Sequence, residues 1–252
     1  MRHRIALFLA ILALSCPTAF ATAPSGFGLD VLVNDDPRPE YHHNGSLYVE
    51  ATRGASYALR LTNPTPYRVA VALSVDGLNT VDARHTDPHS AVKWVLGPYE
   101  TAVISGWQVN DRTARAFYFT GERHSYGASL GQTDNLGVIE AVYFRERRPK
   151  IYTYAPRDRD EERNTAAESS APPSMQKSDG LSDDYAATGM GQRQHHAVES
   201  VDIDLEPEPA GSIRIRYEFR PQLVKLGVLS NVSPLERRER ARGFGAYCPE
   251  PR

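Results

Sequence analysis

Tyr67-Arg68-Val69-Ala70-Val71-Ala72-Leu73-Ser74-Val75 is the stretch that sets the fold class. Val69, Val71, Leu73 and Val75 fall on one face, and Ala70, Ala72 and Ser74 on the other. A period of two belongs to a β-strand. The large apolar face predicts a place in a core, and the small-residue face can lie under another layer of structure.

Working outward, the same alternation recurs in short runs broken by turn residues. Upstream, Asn63-Pro64-Thr65-Pro66 stops one run, because prolines do not continue a central strand. Before it, residues 55–63 place Tyr57, Leu59 and Leu61 together on one face. Residues 40–50 read as a hairpin around Asn44-Gly45, since both residues tolerate positive φ. Downstream, residues 92–96, 101–109, 114–120 and 137–144 are further strand candidates. No amphipathic crossover helix separates them, as a parallel sheet would require. The pattern predicts an all-β fold, an antiparallel β-sandwich of immunoglobulin-like or jelly-roll-like type.

Composition changes after residue 155. Residues 156–200 carry nine acidic and five basic side chains and few large apolar ones, so this tract is expected to be disordered, a linker or long excursion. Strand character returns over 201–205 and 212–220, where Ile213, Ile215, Tyr217 and Phe219 alternate with Arg214, Arg216, Glu218 and Arg220. Two strands alone are marginal, so they are expected to complete the first region's sheets. Ser233-Pro234-Leu235-Glu236 is a capping box that predicts a short C-terminal helix running to Arg242. The expected organisation is a signal peptide over 1–21, the main sandwich over 22–155, the excursion over 156–200, and returning strands plus helix over 201–252.

The signal-peptide expectation rests on Met1-Arg2-His3-Arg4, an apolar run over 5–14, and the small-x-small site Ala19-Phe20-Ala21. That run is too short to cross a bilayer, and no second long apolar stretch follows, so no transmembrane span is expected in the mature chain. Export predicts a periplasmic or secreted protein, away from nucleotide cofactors. Cys16 lies in the signal and Cys248 in the tail, which leaves one thiol and no internal disulfide after cleavage. Leu14-Ser15-Cys16 offers a lesser alternative, a lipid anchor on Cys16, although Ala13 stands where leucine is usual. Cys248 reads as an inert tail thiol. Net charge is -2, and loss of Arg2 and Arg4 makes it -4. There is no basic excess that would point to nucleic acid.

Leu73-Ser-Val-Asp-Gly-Leu-Asn79, Leu96-Gly-Pro-Tyr-Glu100, Ser105-Gly-Trp107 and Asn135-Leu-Gly-Val-Ile139 together resemble a family of exported bacterial β-rich proteins with no assigned activity. The resemblance spans about residues 27–147, with a weaker echo over 217–229. It implies secretion and a compact β domain, and it transfers no functional residues.

The loop after the 69–75 run holds the candidate binding residues. Asp76, Asn79 and Asp82 supply oxygen ligands suited to a hard cation, though not at the spacing of a twelve-residue calcium loop. The competing explanation is that Asp and Asn beside Gly are turn residues bonding their own backbone. His85 and His89, with Asp87 between them, have zinc-like spacing on a helix, which Pro88 opposes. No metal is therefore assigned. His42-His43 point to opposite faces of a strand, and His195-His196 fall in the polar tract. Trp94 and Trp107 are core residues or, alternatively, a stacking platform, and Trp107 is kept among the binding candidates. No G-x-S-x-G elbow and no phosphate-cradling glycine pattern occurs, so no catalytic residue or cofactor is assigned. The arginines at 237, 238, 240 and 242 form a solvated helix face or a site for an anionic partner.

These features lead to an expected non-enzymatic binding or structural protein of the bacterial cell envelope. Its partner would be an envelope protein or a glycan, met through residues 76–89. The alternative is a periplasmic hydrolase of glycan or peptide, for which a metal-dependent form would draw on His85, Asp87 and His89. No sequence feature sets an oligomeric state.

Overall fold

The computed structural model describes residues 26–147 and 180–230. The expected signal peptide, Cys16, Cys248 and the helix expected from Ser233 lie outside those residues. The chain runs β1 (Gly28–Val33), β2 (Asp36–Pro37), β3 (Glu40–His43), β4 (Ser46–Ala51), β5 (Ser56–Thr62), β6 (Val69–Val75), β7 (Leu78–Asn79) and β8 (Trp94–Leu96). It continues with β9 (Thr101–Ile104), β10 (Gly106–Asn110), β11 (Thr113–Gly121), α1 (Tyr126–Ser129), β12 (Val138–Arg145), β13 (Ala186–His195), β14 (Gly211–Phe219) and α2 (Arg220–Lys225).

The strands form the expected β-sandwich of two seven-stranded sheets. The first sheet has the order β10-β11-β5-β1-β2, with β13 also on β11 and β9 also on β5. The second runs β3-β4-β14-β12-β6-β7, with β8 also on β6. Pairings are antiparallel except that of β14 with β4, which is parallel. The second sheet is therefore mixed.

The deciding stretch is β6, paired with β12 along its whole length. Val69, Val71, Leu73 and Val75 are at most 1% exposed and join the main core. The small-residue face is covered too. Ala72 packs with Ala91, Val142 and Phe144 in a second cluster, with Leu205 against it. The Asn44-Gly45 hairpin forms as read, with φ of +48° and +74° and His43 opposite Ser46. Such paired positive φ values match the twist of flanking strands.

Three expectations are corrected. The run 101–109 is two strands, because Ser105 breaks it. Up to Ile104 it pairs with β5, and from Gly106 with β11. The 201–205 run forms no strand, and only Leu205 bridges to Glu146.

The third correction is the largest. Residues 186–195, read as part of the disordered tract, form the ten-residue strand β13 along β11. Its composition misleads because the neighbouring strand supplies the bulk. A Cβ built on Gly189 would lie 2.3 Å from the Tyr118 ring, so the glycine is the space into which that ring packs. The returning strand β14 joins β12 and β4 as a half-buried strand, with Ile213, Ile215 and Tyr217 inward.

Gly106 is held by a different constraint. A Cβ there would come within 2.1 Å of the Arg115 carbonyl oxygen and 2.6 Å of its carbon, both backbone atoms of the paired strand. Backbone cannot rotate aside as a side chain does, so Gly106→Ala forces β10 and β11 apart. The expected loss is about 2–3 kcal/mol in urea denaturation, at the upper end for overpacking. Gln192→Ala, on an exposed position of β13, is expected to stay within roughly 0.5 kcal/mol of wild type.

Candidate functional site

The candidate loop begins at a tight turn. Asp76 and Gly77 join β6 to β7 with φ of +53° and +75°. Asp76 is not a surface ligand. It is 3% exposed, and its carboxylate accepts the Gly137 N–H at 2.8 Å and the Tyr217 hydroxyl at 2.5 Å on Oδ1, and the Thr188 N–H at 2.7 Å on Oδ2. Tyr217 Oη also lies 2.6 Å from Thr188 Oγ1, which lies 2.6 Å from Tyr57 Oη.

Tyr217 comes from β14 in the second sheet, whereas Thr188 and Tyr57 come from β13 and β5 in the first. The chain of polar groups therefore crosses the sandwich interior. Burial is the largest influence on Asp76 and pushes its carboxyl from 3.8 to about 7, against the opposing pull of its donors. Burial, then the charge of Asp76, raises Tyr57 and Tyr217 well above the usual phenol value, so both remain protonated donors.

Much of the remaining loop follows the turn explanation. Asn79, 3% exposed, donates to the Val92 carbonyl at 2.7 Å and accepts from Val81 N–H at 2.8 Å. Asp82 accepts Arg84 N–H at 3.1 Å, and Asp87 accepts the N–H groups of His89 and Ser90 at 2.9 and 3.1 Å. The Asp87 carboxyl titrates below the usual range, chiefly through its bond with the Ser90 side chain. His85 Nδ1 lies 2.9 Å from the Gly77 carbonyl, while the His89 ring stands edge-on to Phe144 at 5.2 Å between centroids. Among the described residues, no group of three or more His, Cys, Asp or Glu side chains is placed to hold a metal ion.

His196, which the sequence places in the polar tract, packs against Trp94 with ring centroids 5.6 Å apart and bonds Gln108 at 2.7 Å. Burial, then the neighbouring His195, lowers its pKa. Trp107 is 2% exposed in the core, packed on Phe117 and Tyr126. Trp94 is half-buried and donates Nε1–H to Thr80 at 2.9 Å.

The loop divides two recesses. On the outer face of the second sheet is a polar cleft of about 510 Å³, with Asn79, His85, Thr86 and Pro88 on one side and Asp134 and Asn135 on the other. Its floor carries Ser74, Glu140, Arg214 and Arg216. Arg214 pairs with Glu140 at 2.7 Å, and no described carboxylate pairs with Arg216. Tyr48 and Tyr41 continue the Arg216 row across β4 and β3.

At the mouth of the sandwich lies a pocket of about 340 Å³ between Asp82 and Ala83 of the loop and Trp107, Arg115, Tyr126, Met190 and Arg193. A third, more apolar groove of about 660 Å³ runs between the edge strands β8 and β9, lined by Val92, Trp94, Val103 and Val201. Of the expected residues, Asn79 and His85 meet at the cleft and Asp82 and Trp107 at the mouth pocket. Asp87 and His89 line neither. The arginines at 115, 193, 214 and 216 were missed as site residues. Alternation marked Arg214 and Arg216 as outward-facing, but nothing local singled out the other two.

No protein-family model, curated protein or solved structure matches this chain.

The buried carboxyl sets a pH dependence. Its folded-state pKa of about 7 lies above the unfolded value near 3.8, so between those pH values the folded state holds a proton that the unfolded chain lacks. This contribution is complete below pH 4 and is lost as pH rises through 7, amounting to an order of 4 kcal/mol. Urea midpoints measured from pH 4.5 to 8, a window set by that linkage, are expected to fall with rising pH. In Asp76→Asn this component is expected to vanish, on a less stable protein whose amide NH₂ group must face a backbone N–H donor.

Proposed function

We propose that the protein is an exported, non-enzymatic binding or structural component of the bacterial cell envelope, periplasmic or secreted. It meets an envelope protein or a glycan across the outer face of the second sheet. The observation that carries this reading is the polar cleft beside the 76–89 loop, where exposed Arg216 has no described counter-ion and continues into Tyr48 and Tyr41. A guanidinium at the end of a row of two tyrosines suits contact with a protein side chain or a sugar ring, since both residue types combine apolar area with polar ends. Export is supported by the sequence pattern over 1–21. Among the described residues no helix is long and apolar enough to cross a membrane. The hydrolase alternative needs His85, Asp87 and His89 to converge, and their side chains are engaged separately.

The test is co-sedimentation with purified peptidoglycan, alongside cross-linking in envelope extracts. Wild-type protein is expected to give a saturable association with one of these. Arg216→Ala combined with His85→Ala is expected to weaken it by about tenfold or more, as for loss of central contacts. Thermal stability should hardly change, because both side chains are exposed. Equal association by the double variant, or none by wild type, contradicts the proposal.

A further inference from the structure

We infer that the pocket at the mouth of the sandwich is a second binding site, separate from the envelope-facing cleft, for a small organic acid: a carboxylate or phosphate carried on a planar apolar body.

Three features lead there. The first is an unbalanced pair of charges. Arg115 of β11 and Arg193 of β13 are direct cross-strand partners. Like charges directly opposite one another on a sheet are destabilising. No ion pair with a described residue compensates either guanidinium. Arg115 commits its Nε–H to the Gly191 carbonyl at 2.6 Å, which fixes the stem of the group. The acid that lines the pocket, Asp82, accepts the Arg84 backbone N–H within its own turn.

The second feature is the floor. Trp107 and Tyr126 stand 5.0 Å apart between ring centroids, and Met190 lines the pocket beside them. Tyr126 and Met190 are only partly buried and pack against the main core. An aromatic and thioether floor below two guanidinium groups matches a ligand with a flat apolar body and an anionic end.

The third feature is local backbone. The register of β11 with β13 shifts between Arg115 and Phe117, adjacent to the pocket. Such irregularities re-aim side chains and recur beside functional sites. The volume of about 340 Å³ falls at the lower end for small-molecule pockets.

The chain has two tryptophans, so Trp94→Phe leaves Trp107 as the sole indole and a reporter at the pocket floor. Full-length Trp94→Phe protein is titrated with phenylacetate, phenyl phosphate, inorganic phosphate and the uncharged phenylacetamide, following fluorescence. The same titrations on wild type by two-dimensional NMR, reading the Trp107 Nε1–H signal, serve if that variant folds poorly.

Phenylacetate or phenyl phosphate is expected to saturate the signal below about 10 mM. Phenylacetamide and inorganic phosphate are each expected to bind about tenfold more weakly, since each lacks one half of the recognition. Arg193→Ala, on an exposed position, is expected to weaken the acids about tenfold without lowering the melting temperature, since it also relieves the repulsion from Arg115. Arg216→Ala is expected to have no effect, which separates this site from the cleft. Absence of saturation by both acids overturns the inference. So does equal binding of the amide, binding unchanged in Arg193→Ala, or binding lost in Arg216→Ala.

Discussion

The Asp76 carboxylate accepts hydrogen bonds from both sheets, and the sandwich closes around it. A charge buried without partners is costly enough that a protein avoids it. Here two backbone N–H groups and a tyrosine hydroxyl converge on one side chain that is 3% exposed. With Asp76 ionised, the hydroxyls of Tyr57, Thr188 and Tyr217 can all point toward it, each polarising the next. With Asp76 protonated on Oδ1, only Tyr217 among these donors can turn to accept, because backbone N–H groups cannot. The network thus has a direction set by one proton. Tyr57 also stacks on Phe119 at 4.2 Å, so the polar chain is embedded in the aromatic core.

This anchoring gives the following loop its shape. Asp76 fixes the turn, and Asn79 is tied to both Val81 and Val92. Asp82 and Asp87 close smaller turns farther along. Lys93 donates to the carbonyls of His89 and Ala91 at 2.7 and 2.8 Å and completes the return to β8. An irregular segment of this length is held by side-chain-to-backbone bonds in place of a strand ladder. It can therefore serve as a firm wall between the cleft and the mouth pocket. The acidic residues that look like ligands in the sequence are what make that wall.

The sandwich was legible because its core strands carry their own periodicity. Residues 69–75, 55–63 and 212–220 alternate as strands packed on one face must, and Asn44-Gly45 names its own turn. Strand β13 was illegible for the opposite reason. Ala186-Ala-Thr-Gly189 is buried against side chains that belong to other strands, so its own composition resembles a linker. The candidate loop was found, but the roles within it were not. Asp76 and Asn79 have the composition of ligands, and only the approach of Thr188, more than a hundred residues away, shows the carboxylate turned inward. Arg115 and Arg193 meet only through the pairing of β11 with β13. A cross-strand pair of that separation has no local signature.

Native-state hydrogen exchange at the Thr188 amide tests the central claim most directly. This N–H donates to Asp76 from the first sheet, and Gly137 N–H donates from the turn that leads into β12 of the second. If the carboxylate locks the sheets together, both amides exchange only through global unfolding, with the same free energy and the same dependence on denaturant. Exchange at Thr188 through a local opening that is insensitive to denaturant, while Gly137 stays protected, would show that β13 can leave without unlocking the fold and would contradict the account.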